Sequence, residues 1–420
     1  MEKTLDRKLA NLHAHPGEAK DFILADAKDA DMAYGISAPG QSPEYYGQEG
    51  KFRTLAEYRD LIQQVVEQGL VDIVLMSAST NEILTIEKRI FDRTAVTPAT
   101  RANDTTDIHV GRGARYAQSP SQPFRTATID QMQCGKTECA PEERSLGSDL
   151  GLYSVTFNND LERDQAILEA YKQFRLEAEQ KGFRHFLEVF DPNVPGAVDP
   201  QRLGHFINDQ IVRTLAGVPR PGRPIFLKIV YHGPKFMEDL AAYDPHLIPG
   251  ILGGASGTTY DAFKMLAEAK KHGARVALYG RKINHAEHQL AFVEFLRLIA
   301  DDKISPEEAV AAYHGVLEKL NLKPYRPLAE DLQLTNPAMG YAPSPGTKVS
   351  IPVSPGKPRP ARQAAPPSAR ASKPAPAEAY PRKPGGEYDF SQFTPDQRLK
   401  FNEEERDRVY GRRWRKEDPK

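Results

Sequence analysis

Two ionisable side chains of this 420-residue chain stand where water is hard to keep. Lys228 lies inside Phe226-Leu227-Lys228-Ile229-Val230, and Glu188 inside Phe186-Leu187-Glu188-Val189-Phe190. Apolar neighbours disfavour an ammonium, and a neutral amine is the form of lysine that attacks a carbonyl. A carboxylate in the same kind of setting needs a partner, and Lys228 supplies one from the next strand. The pair reads either as a structural salt bridge or as an imine-forming amine beside a general acid/base. For Lys228 taken alone, a side chain snorkelling from a strand end explains the pattern equally well. Asp26 and Lys28 are two residues apart in FILADAK and must share one face of a strand. Asp29 and Asp31 follow closely, so the alternative for this pair is a solvated strand end.

Two glycine-bearing turns end late apolar stretches: Gly253-Gly254-Ala255-Ser256-Gly257 and Tyr279-Gly280-Arg281. Such turns leading to a helix N-terminus make a phosphate cradle, and an arginine adds a charge-assisted contact. Gly253, Gly254, Ser256, Gly280 and Arg281 are the candidates for it; an ordinary tight turn at each site is the alternative. Cys134 and Cys139 have no histidine nearby and read as two free thiols rather than a zinc site. His13 and His15 form an H-x-H pair without a located third ligand. His232, His246 and His285 lie near the late strands and read as polar loop residues that could touch substrate.

These residues need elements to position them. Candidate strands are 22–28, 72–79, 94–100, 153–158, 185–190, 224–231, 246–252 and 275–281. Helical patterns separate most of them: Leu161 to Lys181, Tyr260 to His272 with a stop at Gly273, and a capped start at Ser305-Pro306-Glu307-Glu308. Eight strands, mostly each followed by a helix, predict an α/β fold of the (β/α)8 TIM-barrel type. A doubly wound open sheet is the competitor, since counting strands does not prove closure. Barrel active sites sit at the C-terminal ends of strands, where Lys228 and Glu188 fall. The stretch from Asp104 to Asp149 is too long for a plain connection and is expected to be an excursion that covers the site.

Composition sets the outer bounds. The chain is 40% hydrophobic and 27% charged with a formal net charge of -1, an ordinary globular balance with no pull toward nucleic acid or membrane. No apolar run is long enough to span a bilayer, and the first residues lack the apolar core of a secretory signal, so a cytoplasmic protein is expected. Near residue 335 the character changes: 13 of the 34 prolines fall between Pro337 and Pro384. The organisation read from this is a barrel over 1–330, a disordered, Pro-rich, basic linker over 335–387, and a short charged helix or tail over 388–420, opened by Thr394-Pro395-Asp396-Gln397. The tail is either a docking element for a protein partner or an appendage without one.

The sequence resembles the class I aldolases of the tagatose-1,6-bisphosphate type, in the group that includes archaeal-type fructose-bisphosphate aldolases. The resemblance rests on ILAD at 23–26, FLEVF at 186–190, FLKI at 226–229, the glycine turn at 253–257 and YGR at 279–281, spread over about residues 20 to 325. It implies a lyase of carbohydrate metabolism acting on a sugar phosphate through a Schiff base, with no metal or organic cofactor. By position it implies Lys228 as the imine lysine, Glu188 as proton donor and acceptor, Asp26 as a helper with protons or a substrate hydroxyl, and Gly254 and Arg281 at a phosphate. One departure stands out: the family's fourth-strand lysine is replaced at Tyr153-Ser154-Val155-Thr156, by Ser154 or a neighbour, which puts a second phosphate in doubt. Two other readings stay open. One is a metal-dependent barrel aldolase or isomerase using His13, His15 and acids; the other is a non-catalytic barrel scaffold that docks partners through its tail. A homo-oligomer is compatible with the sequence but not dictated by it.

Overall fold

The computed structural model describes residues 1–335, apart from 34, 38, 41–51, 109–110, 112–113 and 254–256, together with 381, 392, 394 and 397. Eight parallel strands close a barrel: β1 (Ile23–Lys28), β2 (Ile73–Met76), β3 (Thr97–Arg101), β4 (Leu150–Thr156), β5 (Arg184–Phe190), β6 (Leu227–Ile229), β7 (Gly250–Leu252) and β8 (Val276–Tyr279). Closure comes from β8 returning to β1, with Ile23 opposite Val276 and Asp26 opposite Tyr279. The open-sheet alternative is thereby removed. Several strands are shorter than the apolar runs that announced them. The run at 246–252 pairs only over Gly250–Leu252, and Ser77 ends β2 by capping a helix at Thr80.

The helices form where their end signals stand. Leu161–Lys181 stops at Gly182 in the left-handed conformation, and Pro306–Lys319 starts from a Ser305/Glu308 capping box. Strand alternation then splits the apolar residues between two cores. Ile23, Ala25, Ile73, Leu75, Ala99, Leu152, Phe186 and Leu278 fill the barrel interior, where Leu5, Leu9 and Leu12 of the helix Thr4–Ala14 join them. Leu24, Val74, Met76, Val155, Leu187, Leu227 and Tyr279 face the surrounding helices.

One buried carboxylate ties the N-terminal helix to this frame. Asp72 accepts from Lys8 Nζ at 2.8 Å, from the Leu24 amide at 2.8 Å and from Arg297 Nη1 at 3.3 Å. Lys8 and Arg297 both also donate to the Phe22 carbonyl, so one acid gathers two cations beneath β1.

The chain divides into two units, residues 1–42 with 50–352 and residues 43–49 with 353–420. In the second, Thr394 and Gln397 exchange capping bonds of 3.0 and 3.2 Å. Apart from residues 335, 381 and 392, the rest of the expected linker and tail lies outside the described residues. Among the described residues no helix is long and apolar enough to cross a membrane.

Asp72→Ala would leave two cations and a buried amide without their acceptor. The expected loss is about 3–5 kcal/mol, the usual cost of breaking a buried charge pair from one side. Urea unfolding of wild type and variant measures it.

Candidate active site

Residues 154, 188 and 228 occupy one level of the barrel lumen, because Ser154 pairs in register with Glu188 and Glu188 with Lys228. Lys228 Nζ lies 2.5 Å from Glu188 Oε1, with the two side chains 9% and 2% exposed. Glu188 Oε2 accepts from Ser154 Oγ at 2.7 Å. Below the pair, Phe186 and Phe226 stack with ring centroids 4.6 Å apart. Above it, Phe190, Val230 and Leu252 pack with Ala33 and with Ile108 of the 104–149 excursion. An amine and a carboxylate are thus held together between two apolar layers.

An arginine that the sequence reading passed over reaches this level from below, its Cα in register with Leu152. Arg101, the last residue of β3, reaches Ser154 Oγ with Nη2 at 3.5 Å. Asp29 and Asp104 hold it at 2.8 and 3.1 Å. Burial works against its charge, yet Asp29, Asp104 and Glu188 outweigh that and keep the guanidinium above its ordinary range. Asn103 locks the adjoining backbone by accepting from the Ser154 amide at 2.7 Å and donating to its carbonyl at 2.9 Å. Two signals could have found these residues. Arg101 is a polar strand-end residue one place beyond the run 94–100, and Asp29 continues the alternation Ala25, Ala27, Asp29 into the lumen.

That alternation also separates Asp26 and Lys28 from Lys228 and Glu188. They do share a face, but it is the outer one, level with Leu24, Val74 and Met76. There Lys28 Nζ pairs with Asp26 Oδ2 at 3.1 Å and donates to Asn284 Oδ1 and, at 3.2 Å, to Gln289 Oε1. Both side chains are fully buried, so the solvated strand end is excluded. Burial pushes the Asp26 carboxyl up to about 6 against the pull of Lys28, and pushes the Lys28 ammonium down. A role for Asp26 at the lumen amine is corrected by this geometry: the barrel wall lies between them, and Asp29 is the β1 acid on the inside.

The phosphate candidates meet at the ends of β7 and β8. A Cβ on Gly253 would lie 2.4 Å from the Tyr279 ring, and one on Gly280 2.8 Å from the Ala27 carbonyl. Packing alone therefore requires both glycines. The amides that open the helix Thr259–Lys271 already have acceptors: Gly257 and Thr258 donate to Asp261 at 3.0 and 2.9 Å, and Thr259 to Asp331 at 2.8 Å. The Gly253 amide is likewise occupied, donating to the Leu278 carbonyl at 2.7 Å. Gly254 and Ser256 lie outside the described residues. Lys282, unmarked in the sequence reading, donates to the Gly257 carbonyl at 3.3 Å, and loss of hydration brings its ammonium down to about 8.

The excursion is pinned across the mouth. Asp107 accepts from Ser121 at 2.6 Å and from Thr156 at 3.2 Å, while Asn193 bonds to Ser121, Ala117 and Ser119. His232 pairs with Asp191 at 2.8 Å on the same rim. His285, beside Arg281 and Arg53, is held down near 4 chiefly by burial. His13 faces His246, Nδ1 to Nδ1 at 3.2 Å, and His15 turns to Asn11, so the H-x-H pair does not converge. These histidines belong to the helix and loop at the other end of the strands, which removes the ligand set of a metal-dependent reading. Cys134 and Cys139 are not joined in a disulfide.

No family model and no curated protein matches the chain in sequence. Among solved structures, an archaeal fructose 1,6-bisphosphate aldolase is similar over 70% of this chain and 98% of its own, at 13% identity and a TM-score of 0.50. Cgl0159 from Corynebacterium glutamicum is similar over 72% of this chain and 94% of its own, at 16% identity and a TM-score of 0.47. At such identities the likeness concerns the fold.

Asp26 gives a pH test of the outer pair. Its folded pKa of about 6 exceeds the ordinary 3.8, so its contribution to stability is full below about pH 4 and is lost as pH rises through about 6. Asp26→Asn should lack this loss and gain on wild type by up to roughly 3 kcal/mol across that window. Denaturant midpoints at the two ends of the window decide it, and equal pH slopes would refute the assignment.

Proposed function

We propose that this chain is a class I aldolase, a carbon–carbon lyase that cleaves and rebuilds a phosphorylated ketose through an imine on Lys228. The observation that carries the reading is the 2.5 Å pairing of Lys228 Nζ with Glu188 Oε1 inside an apolar, covered lumen. An amine becomes a nucleophile by giving up a proton, and the carboxylate beside it is where that proton goes. Attack on the ketose carbonyl forms a carbinolamine, and Glu188 returns the proton to the departing hydroxyl as water leaves. The iminium then accepts the electron pair of the breaking carbon–carbon bond, while a base takes the proton of the neighbouring hydroxyl. Glu188 is the acid/base within reach of these steps. Ser154 holds its second oxygen, and Arg101 holds Ser154.

Charge around the site supports one phosphate rather than two. Arg281 and Lys282 stand after β8, with Arg53 bonded to the Asn284 carbonyl beside them at 2.9 Å. On the opposite side Ser154 replaces the lysine of the resembling family, and the nearby Arg101 is already held by Asp29 and Asp104. Asp107 and Asp191 add acid to that rim. A second phosphate there would meet carboxylates with little cationic charge to offset them.

Borohydride added during turnover with a ketose phosphate tests the mechanism. It should inactivate the enzyme and leave a secondary amine on the peptide containing Lys228, and Lys228→Met should abolish the adduct. Label on Lys28, or none, would end the proposal. The charge argument has its own test: kcat/KM for ketose monophosphates should exceed that for the matching bisphosphates by about tenfold or more, a difference of roughly 1.4 kcal/mol. A preference for bisphosphates would overturn it and leave the imine intact.

A further inference from the structure

The excursion between β3 and β4 has little core of its own. Among the described residues its regular structure amounts to a two-residue ribbon, Asp104–Thr105 with Pro123–Phe124, the helix Ile129–Cys134, and single turns. Small or irregular segments of this kind are commonly held by a covalent or metal crosslink. Cys134 ends the helix, Gly135 follows in the left-handed conformation, and the chain returns through Cys139 to a turn at Pro141–Glu143. One ligand atom from each of Cys134, Cys139 and Glu143 lies within 4.8 Å of the others. Two sulfurs bound to one zinc-sized ion at ~2.3 Å would sit roughly 3.8 Å apart, inside that limit.

We infer that Cys134, Cys139 and Glu143 form a binding site for a soft divalent metal ion of the zinc type, which staples the end of the helix Ile129–Cys134 to the turn Pro141–Glu143 within the excursion.

The surroundings fit that ion. Glu143 is pre-positioned, since Oε2 accepts from the Ala140 amide at 3.2 Å and Oε1 from Lys136. Each carboxylate oxygen keeps a further lone pair for a metal. Two thiolates, the carboxylate and the Lys136 ammonium together carry two negative charges, which one divalent cation neutralises. Binding releases two protons, one from each thiol, and leaves a fourth position for water. The frame is firm: the Gly147 and Ser148 amides bond to the carbonyls of Gln133 and Met132, and Asn81 also donates to Met132. A Cβ on Gly147 would lie 2.3 Å from the Met132 carbonyl, so the chain must return past the helix at a glycine. Asp130 and Gln133 fasten the helix to Lys181, at the end of Leu161–Lys181. The staple is independent of the lumen chemistry.

The test uses full-length, untagged protein reduced with a phosphine and titrated with Co²⁺ alone. A thiolate-to-cobalt band in the near ultraviolet should saturate at one ion per chain and disappear when Zn²⁺ is added. Cys139→Ser should abolish the band, and Glu143→Gln should weaken Co²⁺ binding by about tenfold or more. The sulfur band distinguishes this site from the His13–His246 pair, which has no thiolate to give one. Absence of the band while a thiol assay counts two free cysteines would overturn the inference. So would a band unchanged in Cys139→Ser, or reduced protein that binds no Co²⁺ but closes a Cys134–Cys139 disulfide on exchange with a small disulfide. If Cys139→Ser does not fold, the wild-type and Glu143→Gln titrations still decide.

Discussion

In a closed parallel barrel a strand residue has two directions available, into the lumen or out against the helices, and adjacent strands in register share the choice. The candidate active site depends on that division. Glu188 and Lys228 stand opposite each other in register, both on the inner face, so two largely apolar strands present their buried charged residues to one another. With Phe186 and Phe226 beneath and Phe190, Val230 and Leu252 above, the layers on either side are apolar, and Glu188 finds its second partner beside it in Ser154. A buried pair of this sort is weak evidence for stability, since desolvation offsets much of its attraction. Its retention at the C-terminal end of a barrel suits chemistry better than scaffolding.

A second buried cation–acid pair, Lys28 with Asp26, shows how little residue type alone decides. It is more deeply buried than the lumen pair and is bonded to Asn284 and Gln289. Its partners beyond β1 lie on the helices that follow β8. The pair joins β1 to the segment after β8, the seam at which the barrel closes. A perturbed carboxyl there reflects the burial of a structural joint.

The lumen network and the loops above it divide the work. Asn103, Ser154 and Arg101 fix Glu188 through backbone and side chain, and Asp29 and Asp104 fix Arg101. Ile108 covers the pair, while Asp107, Asn158 and Asn193 clip the covering loop to the ends of β4 and β5. In the proposed aldolase reaction such a cover would keep water from the amine and from an iminium that water would hydrolyse early. On the β7 side the helix amides are occupied by Asp261 and Asp331, and the latter also holds His314, so contacts from beyond residue 330 reach the turn next to the candidate phosphate site.

Much of the architecture was legible in the chain itself. Apolar runs, capping boxes and glycine stops depend on local physics, so eight strands and three of the barrel's helices could be placed, and the two runs with one central charge each marked Glu188 and Lys228. Local pattern also showed that Asp26 and Lys28 share a face, because strand period is a property of one segment. It could not say which face, since inside and outside exist only once β8 pairs with β1. For the same reason Asp29 and Arg101 were missed: each gains its meaning from the other, 72 residues away, across a closed ring. The glycines at 253 and 280 looked like ligand contacts, and only the neighbouring Tyr279 ring and Ala27 carbonyl revealed their packing roles. Cys134, Cys139 and Glu143 are close in sequence, yet their convergence required the turn at 141–143 to fold back on the helix end. Sequence determined which segments form and what chemistry they carry; the tertiary structure decided which of those groups meet, because facing and closure are properties of the whole ring.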